Sequence, residues 1–438
     1  MKGDTIRYLK NLFDKGLIEE FALKNKLFAT LTGSVITLLA ILVTLSGCSS
    51  TAVAAGWAGG TVSGSSVYTV SNQGQLVAMT AANTQGWAAA VEGTAASGGF
   101  LSCSAPSTLV AVYGTPAAAD DNIYVAGYNG KIYSYSITKQ SSNADVTLDT
   151  GNSKPIVGGI TASGGKIFVG SSNGSLYALD GATLAQLWKF STGDKIWCTP
   201  AVDSDTVFVG SFDKKVYALD AATGTNKWSF DTQGAVVSTP VIADGVVYVA
   251  SFNRSIYALD EVTGKLKWQF PALGESGESP RQWFWATPVI SNGILYAPCM
   301  DGKVYCVNIK DGTTASVFDL GAAVSSSPVV ANGQVVVATQ EAKIFSLDAA
   351  KSAKLLMVDL RLADSQTKLT VNSQLSALGN TVYIHGLDPD KMYALDVITQ
   401  KFVAFALGSV STTSTPTATA TATVTTTLII ATTITATK

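Results

Sequence analysis

The sequence predicts an all-β protein, an eight-bladed β-propeller of four-stranded antiparallel blades that follows an N-terminal export or anchor helix. Three observations predict this fold: a repeat of about 40 residues, turn-forming pairs at a constant distance from each repeat anchor, and an apolar run near the N-terminus. A four-stranded unit of this size cannot bury both of its faces alone, whereas units packed around an axis can. Separate sandwich domains are disfavoured because each needs roughly 100 residues.

The first 47 residues form the predicted signal or anchor segment. Six basic and four acidic residues lie within 1–26, and the apolar run from Leu27 to Leu45 is long enough to enter or cross a bilayer. The run ends in Leu45-Ser46-Gly47-Cys48, which resembles the bacterial lipobox, and this likeness implies lipidation of Cys48. An uncleaved anchor helix is the alternative. Both interpretations place the remaining chain outside the cytoplasmic membrane, attached through a lipid or a helix.

Charge and histidine content exclude several classes of function. The formal net charge is -2 and only 14% of the residues are charged, so a basic surface for nucleic acid is not predicted. His385 is the single histidine. Zinc sites with several imidazoles are therefore excluded, and a Ser-His-Asp or Cys-His centre would have to use this one residue. We interpret His385 as a structural residue near a strand end and predict no metal site.

The repeat is defined by the last residue of a Tyr-Ala-Leu-Asp segment, here called the anchor. Eight anchors result: Thr80, Ser136, Asp180, Asp220, Asp260, Asn308, Asp348 and Asp396. A turn-like pair such as Asn173-Gly174 precedes each anchor by seven and six residues. Asn-Gly between apolar runs is typical of a two-residue type I′ hairpin. A further strand, often entered by Thr-Pro, lies upstream, and a fourth strand follows the anchor.

These patterns divide the chain into four parts. The predicted segments are a signal or anchor over 1–47, a lipidated linker over 48–56, the propeller over 57–408 and a tail over 409–438. The tail contains 14 threonines and one charged residue, so it cannot form a core and is interpreted as a spacer or stalk.

A tryptophan eight residues after the anchor gives the repeat a specific resemblance. The segments from Asp220 to Trp228 and from Asp260 to Trp268 resemble the repeat of the pyrroloquinoline-quinone (PQQ) propeller superfamily, and Trp188 keeps the same offset from Asp180. In the first blade Trp87 lies one position early. The resemblance implies that Trp188, Trp228 and Trp268 pack against neighbouring blades.

Two kinds of protein that share this repeat bear on the function of the chain. With the lipobox-like segment, the chain is similar to lipoprotein scaffolds of the outer-membrane β-barrel assembly machinery, which implies a non-catalytic protein that binds envelope proteins. PQQ dehydrogenases are the alternative, and they carry adjacent cysteines and a calcium site. The sequence has no Cys-Cys dipeptide, and its anchor carboxylates suit hydrogen bonds within turns. We therefore predict no catalytic residue, no PQQ and no calcium.

An insertion between the fifth and sixth anchors is the predicted partner-binding surface. The interval from Asp260 to Asn308 is 48 residues, and the extra residues lie within 271–286. They include Arg281, Trp283, Phe284 and Trp285, the composition of an interaction hot spot. Trp197 enters from the same face. The alternatives are that the tryptophans belong to the core, or that they bind a carbohydrate or the cell wall; a small-molecule ligand is not identified.

Cys103, Cys198, Cys299 and Cys306 are predicted to be buried thiols. Cys299 and Cys306 are assigned to the two strands of one hairpin, with Cys299 opposite Val304. That register makes the two cysteines diagonal neighbours at the long end of disulfide reach, so a bond between them is left open.

Overall fold

A computed structural model of the chain describes residues 56–80, 85–91, 110–149, 153–272 and 278–407. Within these ranges, 32 strands form eight antiparallel sheets, each made of four strands that are consecutive in the chain. This confirms the predicted eight-bladed propeller. The predicted export helix, Cys48, Cys103 and the tail lie outside the described residues. In the described part, none of the helices has the length and apolar character needed to cross a membrane.

Blades 1 to 4 comprise the first sixteen strands. Their bounds are β1 Thr61–Ser63, β2 Ser66–Val70, β3 Gln75–Thr80, β4 Gln85–Ala90, β5 Ala117–Ala119, β6 Asn122–Ala126, β7 Lys131–Ser136, β8 Ser141–Thr147, β9 Ile160–Ser163, β10 Lys166–Gly170, β11 Ser175–Asp180, β12 Gln186–Ser191, β13 Ala201–Asp203, β14 Thr206–Gly210, β15 Lys215–Asp220 and β16 Asn226–Asp231.

Blades 5 to 8 comprise the other sixteen strands and one short helix. Their bounds are β17 Val241–Ala243, β18 Val246–Ala250, β19 Ile256–Asp260, β20 Leu266–Phe270, β21 Val289–Ser291, β22 Ile294–Pro298, β23 Lys303–Asn308, β24 Thr314–Asp319, β25 Val329–Ala331, β26 Gln334–Ala338, β27 Lys343–Asp348, β28 Ala353–Asp359, α1 Leu360–Ala363, β29 Ser376–Leu378, β30 Thr381–Gly386, β31 Lys391–Asp396 and β32 Phe402–Ala406.

The hairpin that joins the second and third strands of a blade differs from the predicted turn. In blade 3, Gly174 has a φ of 81° whereas Asn173 is not among the residues with positive φ. The amide of Gly174 donates to Ser171 O at 3.1 Å, and the amide of Ser171 donates to Ser175 O at 3.0 Å. The loop is therefore a type I turn followed by one left-handed residue, and the type I′ prediction was wrong.

Turns with two positive φ values occur at the opposite end of the blades. Asn332 and Gly333, which join β25 to β26, have φ values of 47° and 72°, and Asn292 and Gly293 have values of 51° and 74°. Asn-Gly pairs therefore do mark type I′ turns in this chain, but in the hairpin between the first and second strands.

Tryptophans of the outermost strands lie against the next blade. Trp228 of blade 4 is 9% exposed, and its Nε1 donates to Glu261 O of blade 5 at 2.9 Å. Gly264 of blade 5 has a φ of 68°, and a Cβ there would lie 2.6 Å from the Trp228 ring. Glycine is thus required both for the backbone conformation and for the close approach. Trp188 and Trp268 repeat the arrangement against Gly224 and Gly312.

Trp87 takes the same place in blade 1. It is opposite Ala78 in the strand pairing, as Trp228 is opposite Ala218. The shift by one position in the sequence reflects a connection that is one residue shorter, so the spacing alone misplaced this tryptophan.

Blade 8 packs on blade 1 to close the ring. Tyr383 and Met392 of blade 8 share a buried cluster with Val67, Val77 and Met79 of blade 1. Because every described sheet uses consecutive strands, no strand is exchanged between these blades, and closure depends on packing and hydrogen bonds.

The long interval before the last anchor contains α1. Asp359 caps this helix by accepting hydrogen bonds from the backbone amides of Arg361 and Leu362. Asp364, just after the helix, accepts hydrogen bonds from Lys391 Nζ at 2.6 Å and Tyr393 Oη at 2.8 Å. The segment is therefore tied to blade 8.

Cys299 and Cys306 occupy positions other than those predicted. Pro298 is opposite Val304, and Cys306 is opposite Tyr296. Cys299 is the first residue of the turn between β22 and β23, whereas the prediction placed it in the strand. The predicted register was therefore wrong. Both residues are buried free thiols, as is Cys198.

Candidate functional site at the channel mouth

Eight equivalent segments converge at the propeller axis, one leading into the innermost strand of each blade. One side chain from each segment lines a cavity of about 100 Å³ at this point; it lies four residues before the innermost strand, or three in blade 3, whose innermost strand begins one residue earlier. We call these residues the mouth ring; in blade order they are Trp57, Tyr113, Val157, Trp197, Val237, Trp285, Ser325 and Asn372.

A second ring lies two residues further along each segment and also lines the cavity. Its members, here called the hydroxyl ring, are Gly59, Thr115, Gly159, Thr199, Thr239, Thr287, Ser327 and Gln374. Hydrogen bonds link neighbouring blades at this level: the amide of Thr239 donates to Thr287 Oγ1, and the amide of Thr287 donates to Ser327 Oγ, both at 3.0 Å. The ring therefore joins the blades as well as lining the channel.

Glycine at position 59 allows a contact across one blade. A Cβ at Gly59 would lie 2.7 Å from Thr115 Oγ1 and 2.9 Å from Gln374 O. Without that atom, Thr115 Oγ1 reaches Gln374 Oε1 at 3.3 Å. Blades 2 and 8 thus meet through side chains over blade 1.

An arc of five aromatic rings extends outward from the mouth over blades 4 to 6. The ring centroids of Trp197 and Phe212 are 4.7 Å apart, and Phe252 lies 6.1 Å from Phe212, 5.9 Å from Trp283 and 6.0 Å from Trp285. These five residues form what we call the aromatic arc. Aromatic pairs at such distances interact favourably beyond the area that they bury, so the arc is a continuous apolar surface.

Lysine and serine side chains hold one end of the aromatic arc. Lys195 Nζ lies 4.5 Å from the ring centroid of Phe212 and 5.0 Å from that of Trp197, both within the range of a cation–π contact. Trp197 Nε1 donates to Ser172 Oγ at 2.9 Å. The orientation of the Trp197 ring is fixed by these neighbours.

The residues of the insertion divide between surface and core. Trp283 is 43% exposed, whereas Phe284 is fully buried and lies 6.1 Å from the Tyr305 ring. Phe284 is therefore a core residue, and its assignment to a contact surface was wrong. Arg281 is exposed, and its backbone amide donates to Asp301 Oδ2 at 2.9 Å. Trp197, Trp283 and Trp285 are brought together through Phe212 and Phe252.

Asp301 anchors the insertion to blade 6. Besides the Arg281 amide, its Oδ2 accepts a hydrogen bond from Tyr305 Oη at 2.8 Å. Burial, followed by the interaction with Asp301, raises the pKa of Tyr305, so this hydroxyl stays protonated. The same pair of positions recurs in blade 4 as Asp213 and Tyr217, whose oxygens lie 2.6 Å apart.

A polar sector occupies the mouth at blades 7 and 8. Ser325 Oγ donates to Asn372 Oδ1 at 3.0 Å, and Gln340 Nε2 lies 3.1 Å from Ser325 Oγ and 3.2 Å from Asn372 Oδ1. Amide and hydroxyl groups therefore replace aromatic rings on this side. Because blades 4 and 8 are four apart in a ring of eight, Asn372 stands across the axis from Trp197.

The anchor carboxylates bond within their own turns. Asp220 Oδ1 accepts hydrogen bonds from the Thr223 amide and hydroxyl, at 2.8 and 2.9 Å. These two bonds from Thr223 lower the pKa of Asp220. Asp180, Asp260 and Asp396 make the same contacts with the threonine three residues later. In the described ranges, His, Cys, Asp and Glu form no group of three suited to a metal ion.

Sequence reasoning missed most of the channel lining. Tyr113, Val237 and Ser325 were not singled out, nor were the arc residues Phe212 and Phe252. A signal existed, because Tyr113, Trp197, Val237, Trp285 and Ser325 each stand three residues before the proline that enters an innermost strand. Phe212 and Phe252 share a different constant position, two residues after the second strand of their blades.

The fold and the repeat define the class of protein: an eight-bladed propeller of the PQQ-like type. The family model described as outer membrane protein assembly factor BamB matches residues 102–190 and 172–403, more than half of the chain, so the chain belongs to this family. No curated protein matches it.

Solved structures agree with the fold. The crystal structure of BamB from Moraxella catarrhalis is 17% identical, with a TM-score of 0.59, over 76% of this chain and 91% of that chain. The computationally designed Ika8 protein is 16% identical, with a TM-score of 0.60, over 77% of this chain and 95% of that chain. At such identities the likeness shows the fold alone.

Proposed function

We propose that this chain is a non-catalytic scaffold of the cell envelope that binds proteins engaged in outer-membrane protein assembly, and that the aromatic arc is its contact surface. The observation that carries this proposal is the exposure of Trp283 at the end of an arc of packed rings. Tryptophan in well-packed apolar surroundings is strongly enriched among the hot-spot residues of protein interfaces. Membership in the BamB family supplies the context of assembly.

The arc suits a protein partner because its base is rigid and its outer edge is accessible. Phe252 contacts both Trp283 and Trp285, so the exposed ring loses little side-chain freedom when a partner covers it. Association costs less when the contacting side chains are already ordered. Lys195 adds positive charge beside the arc, which favours a partner with an acidic rim.

Absence of catalysis is part of the proposal. PQQ carries three carboxylates, whereas the described residues that line the channel cavity are all uncharged. Its volume of about 100 Å³ corresponds to roughly three waters at about 30 Å³ each, which is small for a fused three-ring cofactor. The residues present therefore do not fit PQQ.

Site-specific photo-crosslinking in the envelope of the source cell tests the contact surface. A photoreactive residue at position 283 is expected to crosslink a component of the outer-membrane assembly machinery, identified by mass spectrometry. The matched control is position 262, where Val262 is 83% exposed in a turn of blade 5 away from the arc. Equal crosslinking at both positions, or none at position 283, contradicts the proposed surface.

We further propose that lipidation of Cys48 attaches the propeller to the membrane. Its support is the lipobox-like segment that ends at this residue. Mass spectrometry of the mature N-terminus is expected to find a diacylated cysteine, and Cys48→Ser is expected to release the chain from the membrane fraction. An intact N-terminus beginning at Met1 contradicts cleavage and supports the anchor helix.

A further inference from the structure

We propose that the channel mouth binds a neutral sugar ring, a function that goes beyond the protein scaffold proposed above. The mouth ring is aromatic or aliphatic over blades 1 to 6 and polar over blades 7 and 8. A pyranose has the matching character, because its C–H faces are apolar and its hydroxyls both donate and accept hydrogen bonds. The lining of the mouth thus combines apolar side chains with polar groups that converge on one side, and a small number of placed polar groups is what fixes the orientation of a ligand in a protein pocket.

Two aromatic walls flank the cavity. Trp57 and Tyr113 form one, with ring centroids 4.5 Å apart, and Tyr113 is followed by Tyr128 at 5.2 Å. Trp197 and Trp285 form the other and are joined through the aromatic arc. Burial, followed by the proximity of Tyr128, raises the pKa of Tyr113, so this wall is neutral at physiological pH.

The polar groups opposite Trp197 would fix the orientation of a bound sugar ring. Asn372 and Ser325 are held by Gln340 in one hydrogen-bonded cluster, so their positions are fixed before a ligand binds. Amide groups present donors and acceptors together, which matches a pair of vicinal sugar hydroxyls. A ring placed between Trp197 and Asn372 would have an apolar face on one side and hydrogen-bonding groups at its edge.

The hydroxyl ring supplies hydrogen-bond donors to the cavity. Thr199 Oγ1, Thr287 Oγ1 and Ser327 Oγ each accept a backbone amide hydrogen from the preceding blade, at 2.9 to 3.0 Å. Each hydroxyl keeps its own hydrogen for donation. Sugar oxygens accept such hydrogens, whereas an apolar ligand would leave these groups unsatisfied at a cost.

Size and charge narrow the ligand class further. The cavity volume of about 100 Å³ limits the ligand to one small ring, seated where the cavity opens at the channel mouth. The lining residues that the structure describes carry no formal charge. Sialic acids, nucleotides and sugar phosphates are therefore disfavoured, because their anionic groups would have no partner there.

Binding of defined neutral sugars to the purified full-length chain tests the proposal. The probes are the methyl glycosides of glucose, galactose, mannose and N-acetylglucosamine, measured by tryptophan fluorescence and calorimetry. We expect at least one to bind with a dissociation constant in the millimolar range or below, with galacturonic acid as the anionic comparison binding more weakly. If none of the four neutral probes binds, the proposal is overturned.

Variants then locate the binding. Trp197→Ala and Asn372→Ala are each expected to weaken the binding of that sugar about tenfold, equivalent to about 1.4 kcal/mol, while Leu187→Ala, on the exposed outermost strand of blade 3, leaves it unchanged. Trp197→Phe retains an aromatic face and is expected to restore part of the affinity, which separates loss of stacking from loss of fold. Unchanged binding in both alanine variants overturns the assigned site.

The test of sugar binding is independent of the test of partner binding. Trp283 lies outside the cavity lining, so Trp283→Ala is expected to reduce co-purification of the protein partner from the envelope while leaving sugar affinity within about twofold. Asn372→Ala is expected to show the reverse. If Trp283→Ala weakens both partner binding and sugar binding, a separate sugar site is contradicted.

Discussion

Nε2 of His385 in blade 8 lies 2.6 Å from Oδ1 of Asp390, and Nδ1 of the same ring lies 2.8 Å from the carbonyl oxygen of Ala58, just before blade 1. His385 is 1% exposed, and the Asp390 side chain is 8% exposed. Asp390 Oδ2 also accepts a hydrogen bond from the Asn72 amide of blade 1 at 2.9 Å. One buried polar cluster thus joins the last blade to the first, where no strand is shared.

The first prediction concerns this closure. His385→Leu removes the donor to Asp390 and leaves a buried carboxylate without its principal partner, so the free energy of unfolding should fall by about 3 kcal/mol. Thermal unfolding followed by circular dichroism measures the change, and hydrogen exchange should increase first at the contact of blades 8 and 1. Asp348→Asn, which removes an exposed ion pair with Lys351, is the control and should cost under about 1 kcal/mol. Equal effects of the two changes would contradict a closing role.

The second prediction concerns packing between blades. Trp228→Ala should lower the free energy of unfolding by about 3 kcal/mol because it leaves a cavity against Gly264 and removes the hydrogen bond to Glu261 O. Leu266→Ala alters a side chain that is 47% exposed on the outermost strand of blade 5 and should change stability by no more than about 0.5 kcal/mol. Chemical denaturation of the two variants provides the comparison, and similar midpoints would refute the packing role.

The third prediction concerns pH. Hydrogen bonds from Thr223 lower the folded-state pKa of Asp220 below its unfolded value, and Thr183 and Thr263 do the same for Asp180 and Asp260. These carboxylates therefore stabilise the folded state above a pH of about 4, and the contribution is lost as pH falls through the folded-state pKa values.

Thermal unfolding between neutral and strongly acidic pH measures this loss. The variant with all three aspartates changed to asparagine should melt below the unmodified protein at neutral pH, and the gap should narrow in acid because asparagine does not titrate. A gap that stays constant down to pH 2 would exclude the linkage.

The fourth prediction concerns thiol reactivity. Burial raises the pKa of Cys198 to about 12 and that of Cys299 to about 12, and it raises the pKa of Cys306 as well. All three thiols should therefore stay protonated and resist iodoacetamide in the folded protein at pH 8, and react in denaturant. Peptide mass spectrometry resolves each site. Rapid labelling of Cys198 under native conditions would show that blade 4 opens readily.

The sequence predicted the parts of the fold that repeat with a constant period. Each blade packs against its neighbours in the same way. The sequence therefore repeats tryptophans such as Trp228, anchors such as Asp220 and the Thr-Pro segments. Where the spacing varied, the prediction failed: the connection of blade 1 is one residue shorter, so Trp87 appeared displaced. The hairpin turn and the position of Cys299 were also misassigned, because Asn-Gly suits more than one turn geometry and the flanking residues decide between them.

The sequence by itself determined the number of blades, their four strands and the residues that pack between them, since hydrophobic alternation and turn chemistry act over a few neighbours in the chain. Only the tertiary structure decided which residues meet at the axis and at the closure. Trp197 and Asn372 line one cavity although 175 positions separate them, and His385 reaches Ala58 across 327. Such contacts form only when the ring closes. Closure depends on the rotations between all eight blades together, so a pattern of a few neighbouring residues cannot predict these contacts.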